Sequence, residues 1–306
     1  MKPYVIINPT SRGGTALSIW PGLKKELKAK IGDFSFALTQ QSGHAEDLAR
    51  TALFSGFDWI IAIGGDGTLS DVANGFFKGD ESVNPEAVFS FLMLGTGSDF
   101  QRNFNLSYDL LEKIDQLEKA PVRDIDLGKV TYQDFSGNTK ERRFINVASF
   151  GLSGDVDLAV NKARFLKIFG GLAVFFIYTI LTRLKYQHPT VAIKFNERTE
   201  ELEILSLAVA NGRYFGGGMQ VAPKATIDDG LFEVVILKKR SLVDFLLTSP
   251  KIYFGKHVGH PQNEFWQSTE LTAESESRVV VDIDGEPLGT LPARFEILPK
   301  ALRIKI

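Results

Sequence analysis

The sequence Gly64-Gly65-Asp66-Gly67-Thr68 is the motif around which the rest of this chain is organised. It follows an apolar run at residues 58–63 that is typical of a buried strand. It precedes residues 69–77, whose apolar side chains recur at helical spacing. The order is therefore strand, glycine turn, helix. Glycines let the backbone approach a bulky group, and the amide N–H groups that open a helix form an anion site.

An acid stands in the middle of this turn. A carboxylate cannot itself bind a phosphate, because like charges repel. Asp66 fits the turn if a cation bridges it to a phosphate, or if it transfers a proton. A nucleoside triphosphate with magnesium satisfies the first condition. A plain tight turn with an exposed aspartate is the alternative that the turn alone leaves open.

Composition limits the class of protein. The chain has 306 residues, of which 44% are hydrophobic and 24% charged, so we expect two globular domains. Its net charge of −2 gives no reason to expect a nucleic acid partner. With no cysteine, the sequence predicts neither disulfides nor thiolate metal sites. The N-terminal apolar stretch is too short for a signal peptide, and we expect a cytoplasmic protein.

Two further glycine turns follow predicted strands. Residues 4–8 lead into Pro9-Thr10-Ser11-Arg12-Gly13-Gly14, the first glycine turn of the chain. Residues 64–68 are the second, and residues 88–94 lead into the third, Gly95-Thr96-Gly97-Ser98-Asp99. Strands that alternate with helices predict an open parallel sheet, which binds ligands at the carboxyl ends of its strands. All three glycine turns would lie at this edge of the predicted sheet. A shared ligand site explains this better than three unrelated loops do.

After about residue 125 the pattern becomes rich in short strands, which predicts an antiparallel β domain. We expect strands at residues 122–132, 142–150, 191–195, 201–210, 231–237, 278–283, 293–298 and 302–306, with a helix near residues 242–247. Two acidic turns stand out there. Asp228-Asp229 suits a divalent cation or an ordinary Asx turn, and Asp284-Gly285 is typical of a hairpin.

A nearly unbroken apolar run covers residues 168–181. It has 14 residues, and a membrane span needs about 20. A buried core helix is the simpler expectation. In the alternative, its phenylalanine-rich face forms a lipid pocket or touches a bilayer.

Together these motifs resemble the catalytic domain shared by diacylglycerol, sphingosine and ceramide kinases, and above all the soluble bacterial diacylglycerol kinases. The resemblance runs over nearly the whole chain. Besides the glycine turns it includes Asp126-Leu127-Gly128, the segments 144–148 and 222–232, and Asp284-Gly285-Glu286. The turn at residues 64–68 is shared with NAD kinases, whereas the later motifs are not.

The resemblance implies an α/β nucleotide-binding domain at residues 1–125 and a β-sandwich lipid-substrate domain at residues 126–299. The last strand, at about residues 300–306, is expected to return to the first domain. The implied reaction transfers the γ-phosphate of ATP to a lipid hydroxyl, with diacylglycerol as the default acceptor and phosphatidic acid as product. The implied partner is a membrane lipid at the inner face of the membrane.

The resemblance also implies site residues. Asp66 would be an active-site acid tied to Mg²⁺ and phosphate positioning, and Glu286 the base that deprotonates the lipid hydroxyl. Asp229 would bind Mg²⁺ with backbone oxygens near Thr226 and Leu231. The residues expected to contact the nucleotide are Asn8, Thr10, Ser11, Arg12, Gly64, Gly65, Gly67, Thr68, Gly95, Thr96, Gly97, Ser98, Asp99 and Asp126.

The chain departs from the family pattern at two places. Ser98 stands where the family usually has Asn, which puts one nucleotide contact in question. Arg12 and Gly13 stand where the family usually has Gly and often Lys. Three alternatives stay open: a kinase of another lipid, a kinase of NAD, and a non-catalytic lipid- or nucleotide-binding protein. A two-fold homodimer, the commonest assembly, also stays open.

Overall fold

The computed structural model describes residues 1–95, 97–104, 106–162, 171–196 and 198–306. Two expectations from the sequence fall outside these ranges: Thr96 of the third glycine turn, and residues 168–170 of the apolar run. The described residues form two compact units. The first comprises residues 1–126 and 299–306, and the second comprises residues 127–298.

The first unit contains a parallel sheet. Its strands are β1 (Pro3–Ile7), β2 (Ser35–Leu38), β3 (Trp59–Gly64) and, beyond a short hairpin of β4 (Phe77–Lys78) and β5 (Glu81–Ser82), β6 (Val88–Met93). The order β2-β1-β3-β6 is parallel throughout. Near the end of the chain, Ile304 pairs in parallel with Phe89. The predicted parallel pairing of these strands is thus present.

Helices connect these strands. They are α1 (Ala16–Ile31), α2 (His44–Phe54), α3 (Asp66–Gly75) and α4 (Leu110–Leu117), with 3₁₀ turns at Ser11–Gly14 and Gln101–Asn103. Because side chains alternate along a strand, the two faces of β6 carry different cores. Val88 and Leu92 pack in a cluster with residues of α1 and α4. Phe89 and Phe91 belong to an aromatic group on the other face.

That aromatic group holds the turn that follows β6. The ring centroid of Phe91 lies 5.3 Å from that of Phe100 and 6.1 Å from that of Phe104. All three side chains are buried. Burial of rings of this size is among the larger apolar contributions to stability. The segment that carries the third glycine turn is therefore anchored at its far end by Phe100.

The second unit is built of antiparallel strands. The first residues of one strand, 122–126, and the last residues of another, 299–305, belong to the first unit. The strands are β7 (Val122–Asp134), β8 (Thr139–Phe144), β9 (Val147–Gly151), β10 (Thr190–Phe195), β11 (Arg198–Ala210), β12 (Phe232–Lys238), β13 (Asn263–Ser268), β14 (Glu270–Glu274), β15 (Val280–Ile283) and β16 (Glu286–Lys305). The helices are α5 (Leu152–Lys162), α6 (Gly171–Lys185) and α7 (Leu242–Ile252).

Two apolar clusters stabilise the second unit. One is formed by strands, and it stacks the Phe144 ring on Phe232 and the Phe150 ring on Phe295. The other is formed by strand residues with α5 and Phe245 of α7, and partly buried side chains of α6 pack against it. The three helices are therefore fixed by apolar burial to the same part of the unit.

Several strand expectations are wrong in detail. The strand expected at residues 142–150 is two strands, β8 and β9, broken at Ile145–Asn146. The two strands expected at residues 293–298 and 302–306 are one continuous strand, β16. Strands β13 and β14 and helix α5 were not anticipated from the sequence pattern.

Within the described residues the apolar run is helical from Gly171 onward. Phe175, Tyr178 and Ile180 are partly buried against a core cluster, but the expectation of a fully buried core helix is wrong. Within α6, Phe176, Ile177 and Leu181 are all exposed. Among the described residues, no helix is long and apolar enough to cross a membrane. The alternative, in which this phenylalanine-rich face forms a lipid pocket or touches a bilayer, stays a prediction.

Candidate active-site elements

The turn after β3 requires glycine at its first position. A Cβ atom built on Gly64 would lie 2.6 Å from both Cβ and Oγ1 of Thr68. A Cβ atom does not approach a non-bonded atom this closely, so a larger residue at position 64 would displace Thr68. Gly65 then precedes α3, which begins at Asp66. The sequence thus fixes the backbone path that delivers Asp66 to the helix N-terminus.

Asn8 links the first glycine turn to α3. Its backbone N–H donates to the Ile63 carbonyl oxygen at 2.9 Å, and its Nδ2 donates to Thr68 Oγ1 at 3.0 Å. Its Oδ1 accepts from the backbone N–H and the hydroxyl of Thr10, at 3.0 and 2.8 Å. Asn8, Thr10 and Thr68, three of the predicted nucleotide residues, are therefore joined in one hydrogen-bonded group.

The second and third glycine turns approach each other closely. A Cβ on Gly95 would lie 3.0 Å from the Gly65 Cα atom, so a side chain here would fit only if the neighbouring backbone shifted slightly. Asp66 Oδ1 accepts the N–H of Phe100 at 3.0 Å. The structure brings Asp66 to the turn that carries the other predicted nucleotide residues.

Ser98 has an unusual backbone conformation within this turn. Its φ angle is +51°, in the left-handed region that favours Gly, Asn and Asp. Its hydroxyl donates to the Gly95 carbonyl oxygen at 3.1 Å. The next residue, Asp99, is buried, and the nearest guanidinium nitrogen of Arg102 is 3.8 Å from Asp99 Oδ1. Arg102 also donates to the Gly97 carbonyl oxygen at 3.3 Å.

The first glycine turn is more open. Ser11 is partly exposed and Arg12 is exposed, and Arg12 has a φ angle of +53°. The Ser11 N–H donates to the Asn8 carbonyl oxygen at 3.2 Å, and the Arg12 carbonyl oxygen accepts from the Thr15 hydroxyl at 3.0 Å. These bonds shape the loop. The expected contacts of Ser11 and Arg12 with a nucleotide stay predictions.

Asp126 occupies a different setting from the other predicted nucleotide residues. Its exposed fraction is 0%, and its Oδ1 accepts the backbone N–H of Lys300 at 2.7 Å. Lys300 has a φ angle of +51°, so the carboxylate holds the backbone where the chain turns. The contact that the structure gives Asp126 is structural, and the nucleotide contact expected of it stays a prediction.

Lys113 on α4 is buried behind the third glycine turn. Its ammonium donates to Gln101 Oε1 at 2.5 Å, and Gln101 Nε2 donates to the Ser107 carbonyl oxygen at 3.2 Å. Burial lowers the pKa of Lys113 from 10.5 to about 8, because the charged form loses its hydration. The sequence analysis did not single out Lys113, since its spacing is that of an ordinary helical residue.

In the second unit, Asp284 organises the segment between β8 and β9. Its Oδ2 accepts the N–H of Ile145 at 2.9 Å, and its Oδ1 accepts those of Asn146 and Val147 at 3.0 and 3.2 Å. Asp284 has a φ angle of +50°. The turn that leads to Glu286 is therefore tied to a segment 139 residues earlier in the chain. Sequence reasoning recognised Asp284 only as part of a motif.

Glu286 begins β16 and is partly exposed. Two positions before Asp284, Asp282 is buried and accepts the Gly285 N–H at 3.2 Å. Burial raises the pKa of the Asp282 carboxyl well above its usual range, and the nearby negative charge of Asp157 raises it further. The predicted base therefore follows a rigid turn with a second, buried carboxyl group beside it.

The predicted magnesium residues lie in an exposed turn before β12. Asp229 Oδ1 accepts the Leu231 N–H at 3.1 Å, and the Thr226 hydroxyl donates to the Lys224 carbonyl oxygen at 3.5 Å. Among the described residues, no group of three or more His, Cys, Asp or Glu side chains has metal-site geometry. The magnesium site expected at Asp229 is not a group of that kind, because it combines one carboxylate with backbone oxygens. Such hard oxygen donors fit Mg²⁺ chemically.

Comparisons with known proteins show the family to which the chain belongs. The model of the diacylglycerol kinase catalytic domain matches residues 2–130, and the model of the YegS C-terminal NAD kinase beta sandwich-like domain matches residues 146–306. A Pseudomonas fluorescens protein named "Probable lipid kinase YegS-like" is 33% identical over 286 residues, which cover 92% of this chain and 87% of that protein. The chain belongs to the YegS-like lipid kinase family.

Other similar proteins match this YegS-like lipid kinase over almost its whole length. A diacylglycerol kinase of Staphylococcus carnosus is 26% identical over 303 residues, which cover 99% of this chain and 94% of that protein. The crystal structure of a diacylglycerol kinase from Bacillus anthracis superposes with a TM-score of 0.73 at 22% identity, covering 99% and 96% of the two chains. Yeast NADH kinase, with a TM-score of 0.55 at 12% identity, covers 99% of this chain and 82% of its own, and it shares the fold.

Proposed function

We propose that this chain transfers the γ-phosphate of ATP to the hydroxyl group of a lipid, with diacylglycerol as the first acceptor to test. The observation that carries the proposal is the position of Asp66. It begins α3 between two glycine turns, and its carboxylate is held by the N–H of Phe100 at 3.0 Å. Family membership supports the reaction class.

The first unit would bind ATP. Helix α3 begins within the glycine turn, and its first N–H groups suit a phosphate. The hydrogen-bonded group of Asn8, Thr10 and Thr68 would line the same edge, because β1 and β3 are neighbouring parallel strands. Such preorganised donors stabilise the charge that develops on the transferred phosphoryl group.

The second unit would supply the base. Glu286 follows a turn that Asp284 fixes through three backbone N–H groups. A turn fixed in this way would keep the backbone of Glu286 at one position while its carboxylate accepts the proton of the lipid hydroxyl. The β-rich unit as a whole is the proposed lipid-substrate domain.

Magnesium would be held by carboxylate and backbone oxygens. Asp66 is the proposed ligand or positioning group near the phosphates, and Asp229 with the backbone near Thr226 and Leu231 is the proposed second group. Bound Mg²⁺ neutralises phosphate charge. Within the chain, Asp229 also fixes its own turn through the Leu231 N–H.

The experiment is transfer of labelled phosphate from ATP to a panel of acceptors in mixed micelles with magnesium. The panel contains diacylglycerol, monoacylglycerol, ceramide, sphingosine, phosphatidylglycerol and, as the soluble alternative, NAD. The test variant is Asp66→Asn, whose amide oxygen still accepts the Phe100 N–H. The matched control is Asp47→Asn, an exposed acid on α2.

We expect transfer to diacylglycerol that falls at least about a hundredfold in Asp66→Asn and stays unchanged in Asp47→Asn. In Glu286→Gln we expect loss of transfer with ATP binding retained. Transfer to NAD and to none of the lipids would show that the acceptor is a soluble molecule and would contradict the proposed lipid acceptor. Binding of ATP without transfer to any acceptor would overturn the proposal in favour of a binding protein.

A further inference from the structure

Helix α6 exposes an apolar stripe. Ile177, Leu181 and Leu184 follow one another at spacings of four and three residues, so they lie on one face. They and the neighbouring Phe176 are exposed, Phe176 by 61%. Single exposed apolar residues are common, but a continuous stripe on one helix marks an interaction surface.

Helix α7 and the residues after it expose a second set. Val243 and Leu247 are four residues apart and are exposed by 67% and 68%. Leu246 is exposed beside them, and Tyr253 and Phe254 are exposed after the helix ends. Phe245 of the same helix is buried in an apolar cluster of the unit, so α7 carries apolar side chains both toward the unit and toward solvent.

The end of α6 contacts the start of α7 and the segment just before it. Near the end of α6, Arg183 Nη2 donates to the Arg240 carbonyl oxygen at 2.6 Å, and its guanidinium lies 5.6 Å from the centre of the Phe245 ring. The α6 residue Phe175 and the α7 residue Ile252 both pack against the same apolar cluster. The exposed residues Phe176, Ile177, Leu181, Leu184, Val243, Leu246, Leu247, Tyr253 and Phe254 are named here the α6–α7 face.

The segments that carry this face are basic. Residues 158–196 contain six Lys or Arg residues and no Asp or Glu, and residues 239–263 contain four Lys or Arg residues and one acid, Asp244. Asp244 is 3.2 Å from His260 and 4.0 Å from Arg240. Lys185, Lys251 and Lys256 are exposed next to the apolar residues. Arg183 and Arg240 are buried, so Lys185, Lys251 and Lys256 carry the positive charge argued for this surface. The whole chain has a net charge of −2.

We propose that the α6–α7 face docks on an anionic phospholipid bilayer. An apolar face with flanking lysines is the pattern of a surface that lies in the membrane interface, where acyl chains cover the apolar side chains and anionic headgroups attract the lysines. A second copy of the chain fits less well. A two-fold interface would bring the same lysines from both copies together, and like charges repel.

This inference rests on the proposed function, since a lipid acceptor resides in a bilayer, but its test does not need catalysis. The full chain is sedimented with vesicles of phosphatidylcholine alone and of phosphatidylcholine mixed with phosphatidylglycerol, without ATP. The test variants are Phe176→Glu and Leu247→Glu. The matched control is Phe135→Glu, an apolar side chain of the same unit that is exposed by 50% on the β7–β8 hairpin.

We expect binding to the anionic vesicles that weakens at higher salt and that drops at least about tenfold in each test variant, but not in Phe135→Glu. Transfer to a short-chain diacylglycerol dispersed in water should continue in the test variants. Transfer to this dispersed acceptor separates the two proposals. If only the docking proposal is wrong, the unaltered chain still transfers phosphate to the dispersed diacylglycerol. If the proposed function is wrong, the unaltered chain transfers no phosphate to it.

Three outcomes would overturn the docking proposal. The first is no binding to anionic vesicles by the unaltered chain. The second is binding that Phe135→Glu weakens as much as the test variants do, or equal binding to vesicles of phosphatidylcholine alone. The third is a dimer in sedimentation velocity that both test variants dissociate, which would assign the face to a second copy.

Discussion

The Cβ atom of an alanine at position 64 would lie 2.6 Å from the Cβ of Thr68. Thr68 in turn accepts a hydrogen bond from Asn8, so displacing it would disturb the first glycine turn as well. We expect Gly64→Ala to lower the free energy of unfolding by about 1–3 kcal/mol. Urea unfolding measures this. The control is Gly22→Ala on α1, where a Cβ would meet no atom within 4 Å. An alanine there should be neutral or stabilising by roughly 0.5–1 kcal/mol. Equal effects of the two variants would contradict the steric argument.

Ser98 holds a left-handed backbone conformation, with φ of +51°. Asparagine, the usual residue of the family at this place, adopts that conformation more readily, whereas a β-branched residue does so with strain. We expect Ser98→Asn to be at least as stable as the unaltered chain and to bind ATP at least as tightly. Ser98→Val should lose about 1–2 kcal/mol. Thermal unfolding and ATP titration test both, and weaker ATP binding by Ser98→Asn would contradict the expectation.

Lys113 gives the stability of the first unit a specific pH dependence. Its pKa is lowered by burial from 10.5 to about 8. Below pH 8 the lysine is protonated in the folded and the unfolded chain, and the cost of burying its charge is constant. Between pH 8 and pH 10.5 the folded chain loses the proton first, so the free energy of unfolding rises with pH, by at most about 1.4 kcal/mol per pH unit.

The matching variant is Lys113→Met, which keeps most of the side-chain volume and cannot titrate. Urea unfolding at pH 7.5 and pH 9.5 should show the unaltered chain gaining about 1–2 kcal/mol relative to the variant. Other groups titrate equally in both proteins and cancel in the difference. A difference that does not change with pH would mean that the buried ammonium does not titrate in this range.

Asp284 should be a positioning residue for Glu286. Its carboxylate accepts three backbone N–H groups between β8 and β9. Asp284→Asn leaves one oxygen as acceptor, and we expect a loss of about 1–3 kcal/mol in the free energy of unfolding. The pH profile of phosphate transfer should also shift, because the turn before Glu286 is altered. The control is Asp134→Asn, since Asp134 also accepts backbone N–H bonds but in the exposed β7–β8 turn. An unchanged pH profile would leave Asp284 a purely structural role.

Local patterns in the sequence predict the parallel strands and their glycine turns because the relevant information is close in sequence. The apolar runs at residues 58–63 and 88–94 correspond to β3 and β6, and each is followed by the glycine turn expected of it. The contact between Gly65 and Gly95 then follows from the parallel pairing of these two strands. The nucleotide contacts of these residues stay predictions.

Distant interactions account for what the sequence does not predict. Residues 142–150 have a continuous strand pattern, and the break at Ile145 and Asn146 comes from Asp284, which is far away in the chain. The exposure of α6 is likewise invisible to hydropathy, because an apolar run looks the same whether protein or solvent covers it. Helix α5 contains Gly154 and two acids, which lower its helix propensity, and packing stabilises it instead.

Residues 299–306 give the folding of the first unit a fixed order. The Ser90 hydroxyl donates to the Lys305 carbonyl oxygen at 2.7 Å across 215 positions of sequence, and Ile304 pairs with β6. During synthesis the edge of β6 therefore stays open until all of residues 127–298 have been made. Closing so long a loop is entropically costly and slow, and an open strand edge is prone to aggregation. We therefore expect this edge to be the place where the nascent chain is prone to aggregate while the second unit is translated.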